Sequence, residues 1–303
     1  MPTTTEIRQQ ITNDIIAALS SNALPPWRRP WANDPNAPGL HTSLSTGNSY
    51  RGINQMILQL SAWKRQFTSK WWGTFKQIQS NGGRVNKGQR ATKIILWKPI
   101  DRKRTSEQGE TVDDKFFVMR EFAVFNADQT SGMERFQVGY SQSEASNENH
   151  YSEADNVIEA TGADIHFGGN QAFYSISGDY IQMPFRRQFV TPEAYYETCF
   201  HELCHYSESR TGFDRAKPEN SYDFAELVAE IGACFLMGEL NLPTTDNLEN
   251  HAAYLKSWLK AMDDDPKFIF RAAAQSSKAT DYILSFSRKS ETVSEAVEEP
   301  VCA

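Results

Sequence analysis

Two neighbouring helical segments constrain the fold of this chain more than any other part of its sequence. The first is predicted at residues 192–209, because Thr191 is a favourable N-cap and Pro192 a favourable first helical residue. The second is predicted at residues 222–240 and is apolar on nearly every side. Such a helix is buried against other elements, and any carboxylate that it carries needs a partner.

The first segment contains an HExxH motif, His201-Glu202-Leu203-Cys204-His205. Residues four apart stack on one face of a helix, so both imidazoles can bind the same metal ion. Glu202 lies close enough to act on a metal-bound water without binding the ion. Zinc lowers the pKa of such a water to about 7, and the carboxylate can then take its proton. The motif therefore predicts Glu202 as a catalytic general base.

The third metal ligand decides whether this motif is functional. The longer HExxHxxGxxH motif needs a glycine and a further ligand where the chain has Glu208 and Thr211, so that subclass is excluded. The second helix instead supplies Glu226 and Glu230, four residues apart on one face. We favour Glu226 as the ligand that completes a His2Glu site. Glu230 would then accept a hydrogen bond from the outer nitrogen of a ligand histidine, although the two glutamates can exchange roles. The expected cofactor is Zn²⁺, and the same ligands can accept another divalent metal.

A strand is predicted upstream of the motif, at residues 179–183. Its sequence resembles the strand that many zinc peptidases place beside the metal. An unpaired edge there would let an extended peptide pair as another strand, with Tyr180 as a candidate contact. A purely structural strand fits the sequence almost as well.

The charge of the chain is divided between its two ends. Residues 1–104 hold 16 Lys and Arg against 4 Asp and Glu, whereas the remainder holds 15 against 34. Two balances of opposite sign predict two units with different partners, and a basic unit attracts polyanions such as nucleic acid. The predicted division is a basic domain at 1–135, a linker at 136–150, a second domain at 151–286 and a disordered acidic tail at 287–303.

The basic half also holds six of the seven tryptophans, interleaved with arginines and lysines. Binding of single-stranded DNA needs cations that follow the phosphates and flat side chains on which bases stack. Trp63 is expected in the core, because it continues the apolar stripe of a predicted helix. The DNA-binding candidates are Arg28, Arg29, Trp31, Arg51, Trp72, Lys76, Arg84, Lys87 and Arg90. The sequence contains no zinc-finger, helix-turn-helix or RNP motif, so sequence-specific reading of a duplex is not expected.

Several classes of protein are excluded by what the sequence lacks. No apolar stretch approaches the roughly 20 residues that cross a bilayer, and the first residues do not read as a signal peptide. The four cysteines, at 199, 204, 234 and 302, are too scattered for a disulfide framework. A cytoplasmic protein without a membrane partner is expected.

An ordered set of motifs along nearly the whole chain resembles the antirestriction protein ArdC family of conjugative plasmids. The matching stretches are Pro26-Trp27, Pro30-Trp31, Thr46-Gly47, Tyr50-Arg51-Gly52-Ile53-Asn54, Trp72-Gly73-Thr74-Phe75-Lys76-Gln77, Gly83-Arg84-Val85, Lys87-Gly88, Val124-Phe125-Asn126-Ala127-Asp128-Gln129, Asp179-Tyr180-Ile181, Met183-Pro184, the HExxH motif and Glu226-Leu227-Val228-Ala229-Glu230. The resemblance implies an α+β chain of two domains. One would be a basic α+β domain that binds single-stranded DNA. The other would be a mainly helical, zincin-like metallopeptidase domain with a small sheet.

The leading hypothesis is a plasmid-type antirestriction protein that binds single-stranded DNA, carries a zinc metallopeptidase site and protects incoming DNA from restriction. Its protein substrate would be, for example, a component of the restriction system. In a second hypothesis, DNA binding alone protects and the metal site is structural or catalytically idle. In a third hypothesis, the chain is a metallopeptidase whose basic domain holds an acidic protein. The chain would then show little affinity for single-stranded DNA.

Overall fold

The computed structural model describes residues 3–21, 25, 27–28, 36–37, 39–105, 111–140, 147–245 and 249–295. For 97–105, 111–118, 147–150, 249–253 and 289–295 it describes the backbone alone. The helices within these ranges are α1 (Thr4–Ser20), α2 (Ile53–Arg65), α3 (Phe75–Ser80), α4 (Asn147–Ala160), α5 (Pro192–Ser207), α6 (Tyr222–Glu239), α7 (Glu249–Asp264) and α8 (Phe268–Glu295). No described helix is both long enough and apolar enough to span a membrane.

The strands form three small sheets. They are β1 (Thr42–Ser43), β2 (Trp71–Gly73), β3 (Arg84–Val85), β4 (Thr92–Thr105), β5 (Thr111–Asn126), β6 (Thr130–Ser131), β7 (Asp164–Phe167), β8 (Phe173–Ser175) and β9 (Tyr180–Met183). The order is β1-β2-β5-β4 in the first sheet, β3-β6 in the second and β7-β9-β8 in the third. The architecture is therefore α+β, as predicted.

The hairpin of β4 and β5 is longer than the sequence pattern indicates. The apolar runs at 91–98 and 116–125 predict two strands, and the polar residues at 101–114 predict a loop between them. The pairing instead continues from Thr92 opposite Val124 to Thr105 opposite Thr111. The register places Asp101 opposite Lys115 and Arg102 opposite Asp114. Residues of opposite charge can face each other in a strand pair. They give no alternation of apolar and polar residues, so the sequence pattern did not indicate strands here.

Two tryptophans of the basic half occupy positions opposite to those expected. Trp72 in β2 is fully buried against Leu58 and Val124, and its indole N–H donates to His41 Nδ1 at 3.0 Å. It therefore cannot offer a stacking face to DNA, and that prediction is wrong. Trp63 in α2, expected in the core, is 52% exposed. The rest of the apolar row, Ile53, Met56 and Leu60, does face the core, so the periodicity failed only at Trp63, in the last turn of the helix.

The two halves of the chain share an apolar core. One cluster contains Ile15 of α1 and Met56 of α2 together with Leu227 of α6, Trp258 of α7 and Ile269 of α8. The division by charge thus does not separate two independent cores. The predicted units at 1–135 and 151–286 remain a proposal about function.

The predicted linker and tail contain more helix than expected. Helix α4 begins at Asn147, inside the predicted linker, and α8 continues to Glu295, although disorder was expected from Ser287. Polar composition alone suggested linker and tail, but it does not prevent a helix from continuing along its axis. Residues 141–146 and 296–303 lie outside the described ranges.

Candidate functional site

Helices α5 and α6 pack against each other and carry the predicted metal ligands. The Thr191 hydroxyl caps α5 by accepting from the backbone N–H of Ala194 at 3.2 Å, as its sequence predicts. Ser221 caps α6 in the same way, accepting from Phe224 at 3.3 Å. These caps fix where each helix begins.

The facing surfaces bring together His201, His205 and Glu226. The two Nε2 atoms lie 3.2 Å apart. Glu226 Oε2 lies 3.4 Å from His201 Nε2, and its Oε1 lies 3.4 Å from His205 Nε2. One ligand atom from each residue lies within 4.8 Å of the others. Two imidazole nitrogens and a carboxylate that converge in this way fit zinc or a similar divalent ion.

The charges of these groups also support a site for a metal ion. Burial opposes ionisation of Glu226, but hydrogen bonds with His201 and His205 outweigh it and hold the pKa of this carboxyl well below its ordinary value. Burial also opposes protonation of His205, yet its hydrogen bonds to Glu208 and Glu226 raise the pKa of the imidazole to about 9. The cluster therefore favours positive charge at His205 and negative charge at Glu226.

The group behind His205 is Glu208, not Glu230 as predicted. His205 Nδ1 is hydrogen-bonded to Glu208 Oε1 at 2.7 Å, which leaves Nε2 to face Glu226. Arg215 in turn donates to Glu208 Oε1 at 2.8 Å. Spacing of three residues on α5 could have indicated Glu208, but nothing in the sequence singles out Arg215. Glu230 lies one turn further along α6 and accepts hydrogen bonds from Trp27 and Arg28.

Glu202, the predicted general base, lies beside the same cluster. It is 7% exposed and lines the cleft that also contains both histidines and Glu226. No described residue donates a hydrogen bond to its carboxylate. A carboxylate that is buried at the edge of a cleft without a donor is available to accept a proton from a ligand there.

The cleft around these residues has a volume of about 1080 Å³. The cleft is lined by Phe173 and Tyr174 of β8 and also by Tyr222 of α6 and Tyr254 of α7. The sequence predicted the strand edge at 179–183, but that strand is β9, the central strand of its sheet. The edge strand that lines the cleft is β8, and Tyr180 instead stacks on His166 with a ring separation of 4.7 Å.

Two of the predicted DNA-binding arginines are held by carboxylates of the acidic half. Arg28 is 3% exposed and pairs with Glu197 and Glu230, so it cannot reach a DNA phosphate. Arg51 pairs with Glu239, at 3.2 Å, and with Asp281. The predicted DNA contact of Arg28 is therefore wrong, because charge composition does not reveal which cations are already neutralised. The Arg51 side chain is 37% exposed, so its DNA contact stays a prediction. The candidates Arg29 and Trp31 lie outside the described residues.

Four other candidates, all of them exposed, lie in the segment from the first turn of α3 to the start of β4. We call it the 75–90 surface, and its members are Phe75, Lys76, Arg84, Lys87 and Arg90. Phe75 is 48% exposed. Within the described part of the chain, none of the four cations forms an ion pair. These are features of a surface that can meet a phosphate backbone and a base.

The turn that carries this surface depends on two glycines. Gly82 ends α3 with a φ of +84°, a conformation that side chains rarely adopt. At Gly83, an added Cβ would lie 2.3 Å from Met133 Cγ, so only glycine allows β3 to approach this buried side chain. The glycine pair thus fixes where Arg84 leaves the turn.

Comparison with known families divides the chain into two matching segments. Residues 5–125 match the N-terminal domain of anti-restriction factor ArdC. Residues 152–275 match a zincin-like metallopeptidase family, MPTase-PolyVal. The second segment contains the whole His/Glu cluster, so the acidic half is a zincin-like domain with residues suited to a divalent metal.

Similar proteins extend over nearly the whole chain. Two Escherichia coli proteins named DNA primase TraC are 37% and 36% identical over 87% and 96% of the chain, but the chain spans only 19% and 28% of their length. The uncharacterized protein y4eC of Sinorhizobium fredii is 30% identical over 93% of this chain and 92% of its own.

Two solved structures have the same fold. The metal-free crystal structure of antirestriction ArdC protein from the R388 plasmid has a TM-score of 0.76 and 35% identity, covering 94% of this chain and 98% of that one. Its Mn(II)-bound structure has a TM-score of 0.73 and 33% identity, covering 93% and 98%. Given this similarity along both chains, the protein belongs to the antirestriction ArdC family.

Proposed function

We propose that this protein binds single-stranded DNA through its basic half, hydrolyses peptide bonds at the His/Glu centre and protects incoming DNA from restriction. The observation that carries the enzymatic part is the convergence of His201, His205 and Glu226 in a cleft that also contains Glu202. Membership of a family whose solved relative is an antirestriction protein supports the biological role.

His201, His205 and Glu226 would hold the metal, for which we propose zinc. A divalent ion bound there would polarise a scissile carbonyl and acidify a water. Glu202 would take the proton from the attacking water, which its position at the cleft and its lack of a described donor support. Glu208 would hold the ring of His205 in orientation through the 2.7 Å contact at Nδ1.

The substrate of this centre would be an extended segment of protein, for example from a component of the restriction system. The cleft, at about 1080 Å³, has room for several residues. Strand β8 borders it as the edge of its sheet and would offer unpaired backbone groups to an added strand.

The DNA-binding part of the proposal rests on the 75–90 surface. Its four exposed cations would contact phosphates, and Phe75 would offer a stacking face. We place the protein in the cytoplasm, where DNA and restriction enzymes meet. The three described cysteines, Cys199, Cys204 and Cys234, are free, as a reducing compartment favours.

Glu202→Gln tests the enzymatic role. We expect digestion of β-casein to fall by about 10²- to 10⁴-fold, because the amide cannot take the proton, while Zn²⁺ binding measured by calorimetry is retained. Exposed Glu219 provides the matched control, since Glu219→Gln removes a carboxylate outside the cleft lining. Equal digestion by wild type and Glu202→Gln would exclude this role.

The same variant decides between the two modes of protection. Plasmid DNA would be introduced into a restricting host that expresses wild type or Glu202→Gln, and surviving transformants counted. Our proposal expects protection to fall with hydrolysis. Full protection by the variant would favour DNA binding alone, with an idle metal site.

A further inference from the structure

A second charged cluster is buried one helical turn from the metal centre. Glu197 lies four residues before His201 on α5, and Glu230 lies four residues after Glu226 on α6. Four residues correspond to roughly 6 Å along a helix axis. Glu197 and Glu230 therefore form the next layer between the same two helices, and both line the same cleft as the metal ligands.

The cation of this layer comes from the opposite end of the chain. Arg28 Nε donates to Glu230 Oε1 at 2.8 Å, and its Nη2 pairs with Glu197 Oε1. Its Nη1 donates to the carbonyl oxygen of Thr245 at 2.7 Å, and the Thr245 N–H donates to Glu197 Oε2 at 2.8 Å. The side chains of Arg28, Glu197 and Glu230 are 2%, 10% and 3% exposed, respectively. The guanidinium of Arg28 therefore replaces water as the partner of the two carboxylates.

Trp27 anchors Arg28 in this position. Its ring packs edge-to-face on Trp258 with a centroid separation of 6.4 Å, and it belongs to the core shared by the two halves. Its indole N–H also donates to Glu230 Oε1 at 3.3 Å. The N-terminal half therefore reaches the layer of Glu197 and Glu230, next to the metal ligands, through two adjacent buried side chains.

Removal of the guanidinium would leave two buried carboxyl groups facing each other beside Glu226 without their shared cation. Burial raises the pKa of Glu197 and the neighbouring Glu230 raises it further, whereas Arg28 opposes both effects. Without Arg28, any negative charge that the two groups kept at neutral pH would repel across the turns of α5 and α6 that adjoin the ligands. A small separation of these turns would move His201 away from Glu226.

We propose that Arg28 is a positioning residue of the metal centre: by neutralising both Glu197 and Glu230 it lets α5 and α6 pack at the separation at which the metal ligands converge. The N-terminal half is then part of the centre, not only a DNA-binding unit beside it. This inference rests on the metal site of the proposed function.

Arg28→Met tests the proposal, because methionine retains an apolar stem of similar length without the charge. Zn²⁺ binding to the full chain would be measured by calorimetry, and folding by circular dichroism without metal. We expect binding to weaken by about 10- to 100-fold, as for other groups that orient ligands from behind. Arg28→Lys should recover part of the affinity, since one ammonium can pair with a carboxylate.

The triple variant Arg28→Met, Glu197→Gln and Glu230→Gln separates charge from packing. It removes the repulsion together with the cation, so we expect its Zn²⁺ affinity to return to within about threefold of wild type. The triple variant also tests the role of Arg28 in the case that Arg28→Met alone does not fold. Arg186→Met is the matched control, because Arg186 pairs with Asp155 outside this cleft.

The outcomes distinguish this inference from the proposed function. Absence of Zn²⁺ binding in wild type would defeat the metal site itself. Wild-type binding with equal affinity in a folded Arg28→Met variant would overturn only the role of Arg28. A folded triple variant that remains tenfold weaker would overturn it as well, since loss of packing would then explain the effect.

Discussion

Arginines of the basic half have two different surroundings, one at the 75–90 surface and one at the metal centre. Arg84 and Arg90 are exposed, and no described carboxylate pairs with them. Arg28 is buried between two carboxylates of the acidic half. The comparison shows that some arginines of residues 1–104 neutralise the chain's own acids, whereas others are exposed and can serve the proposed DNA binding. It also predicts that DNA binding and metal binding can be impaired separately.

The largest expected effect is on the metal centre. Glu226→Ala removes one of three converging ligands, so we expect Zn²⁺ affinity to fall on the order of 100-fold or more, beyond the effect of losing an outer contact. Binding of oligo(dT) should be unchanged, because Glu226 is remote in the sequence from the 75–90 surface and pairs with the histidines. Calorimetry with Zn²⁺ and fluorescence anisotropy with the oligonucleotide check the two parts.

Glu230→Ala provides the comparison for this prediction. If Glu226→Ala bound Zn²⁺ normally while Glu230→Ala did not, the two glutamates would have exchanged the roles assigned to them.

The second-largest effect is expected on DNA binding, with metal binding unchanged. The triple variant Arg84→Ala, Lys87→Ala and Arg90→Ala should weaken oligo(dT) binding on the order of tenfold or more at low salt. It should also reduce the salt dependence, because each lost phosphate contact lowers the slope by about 0.7. Zn²⁺ affinity and β-casein digestion should remain at wild-type values.

A control with the same change of charge uses three exposed lysines of the acidic half, Lys256, Lys260 and Lys278. If their replacement by alanine weakened DNA binding equally, net charge and not the 75–90 surface would account for the affinity.

The smallest effect is expected at Arg51, which bridges the two halves. Arg51→Met removes partly exposed ion pairs with Glu239 and Asp281, so the free energy of unfolding in urea should fall by at most about 1 kcal/mol. Affinity for oligo(dT) should stay within twofold of wild type. A loss of DNA affinity as large as that of Arg84→Met would confirm the DNA contact predicted for Arg51.

Local features of the site were accessible from the sequence. The cap of α5 and the four-residue spacing of His201 and His205 predicted one helical face with two imidazoles, and the structure has it. These features depend on residues within one or two helical turns, where backbone geometry alone sets which side chains are neighbours.

Features that depend on how helices and strands distant in sequence pack against each other were predicted less well. Trp63 continues an apolar stripe and Trp72 lies among cations in the sequence, yet Trp72 is fully buried and Trp63 is 52% exposed. The same holds for β9, which composition could not distinguish from an edge strand. In each case the answer depends on which element covers the residue, and a single stretch of sequence does not contain that information.

The sequence by itself determined a helix with two histidines on one face, a second helix with two glutamates on one face, and an excess of cations in the first third of the chain. Only the tertiary structure decided that Glu226 faces the histidines while Glu230 faces Arg28, 202 residues away in the chain. The physical reason is that helix periodicity fixes directions within one helix. The height and rotation of one helix against another are fixed by packing among residues distant in sequence.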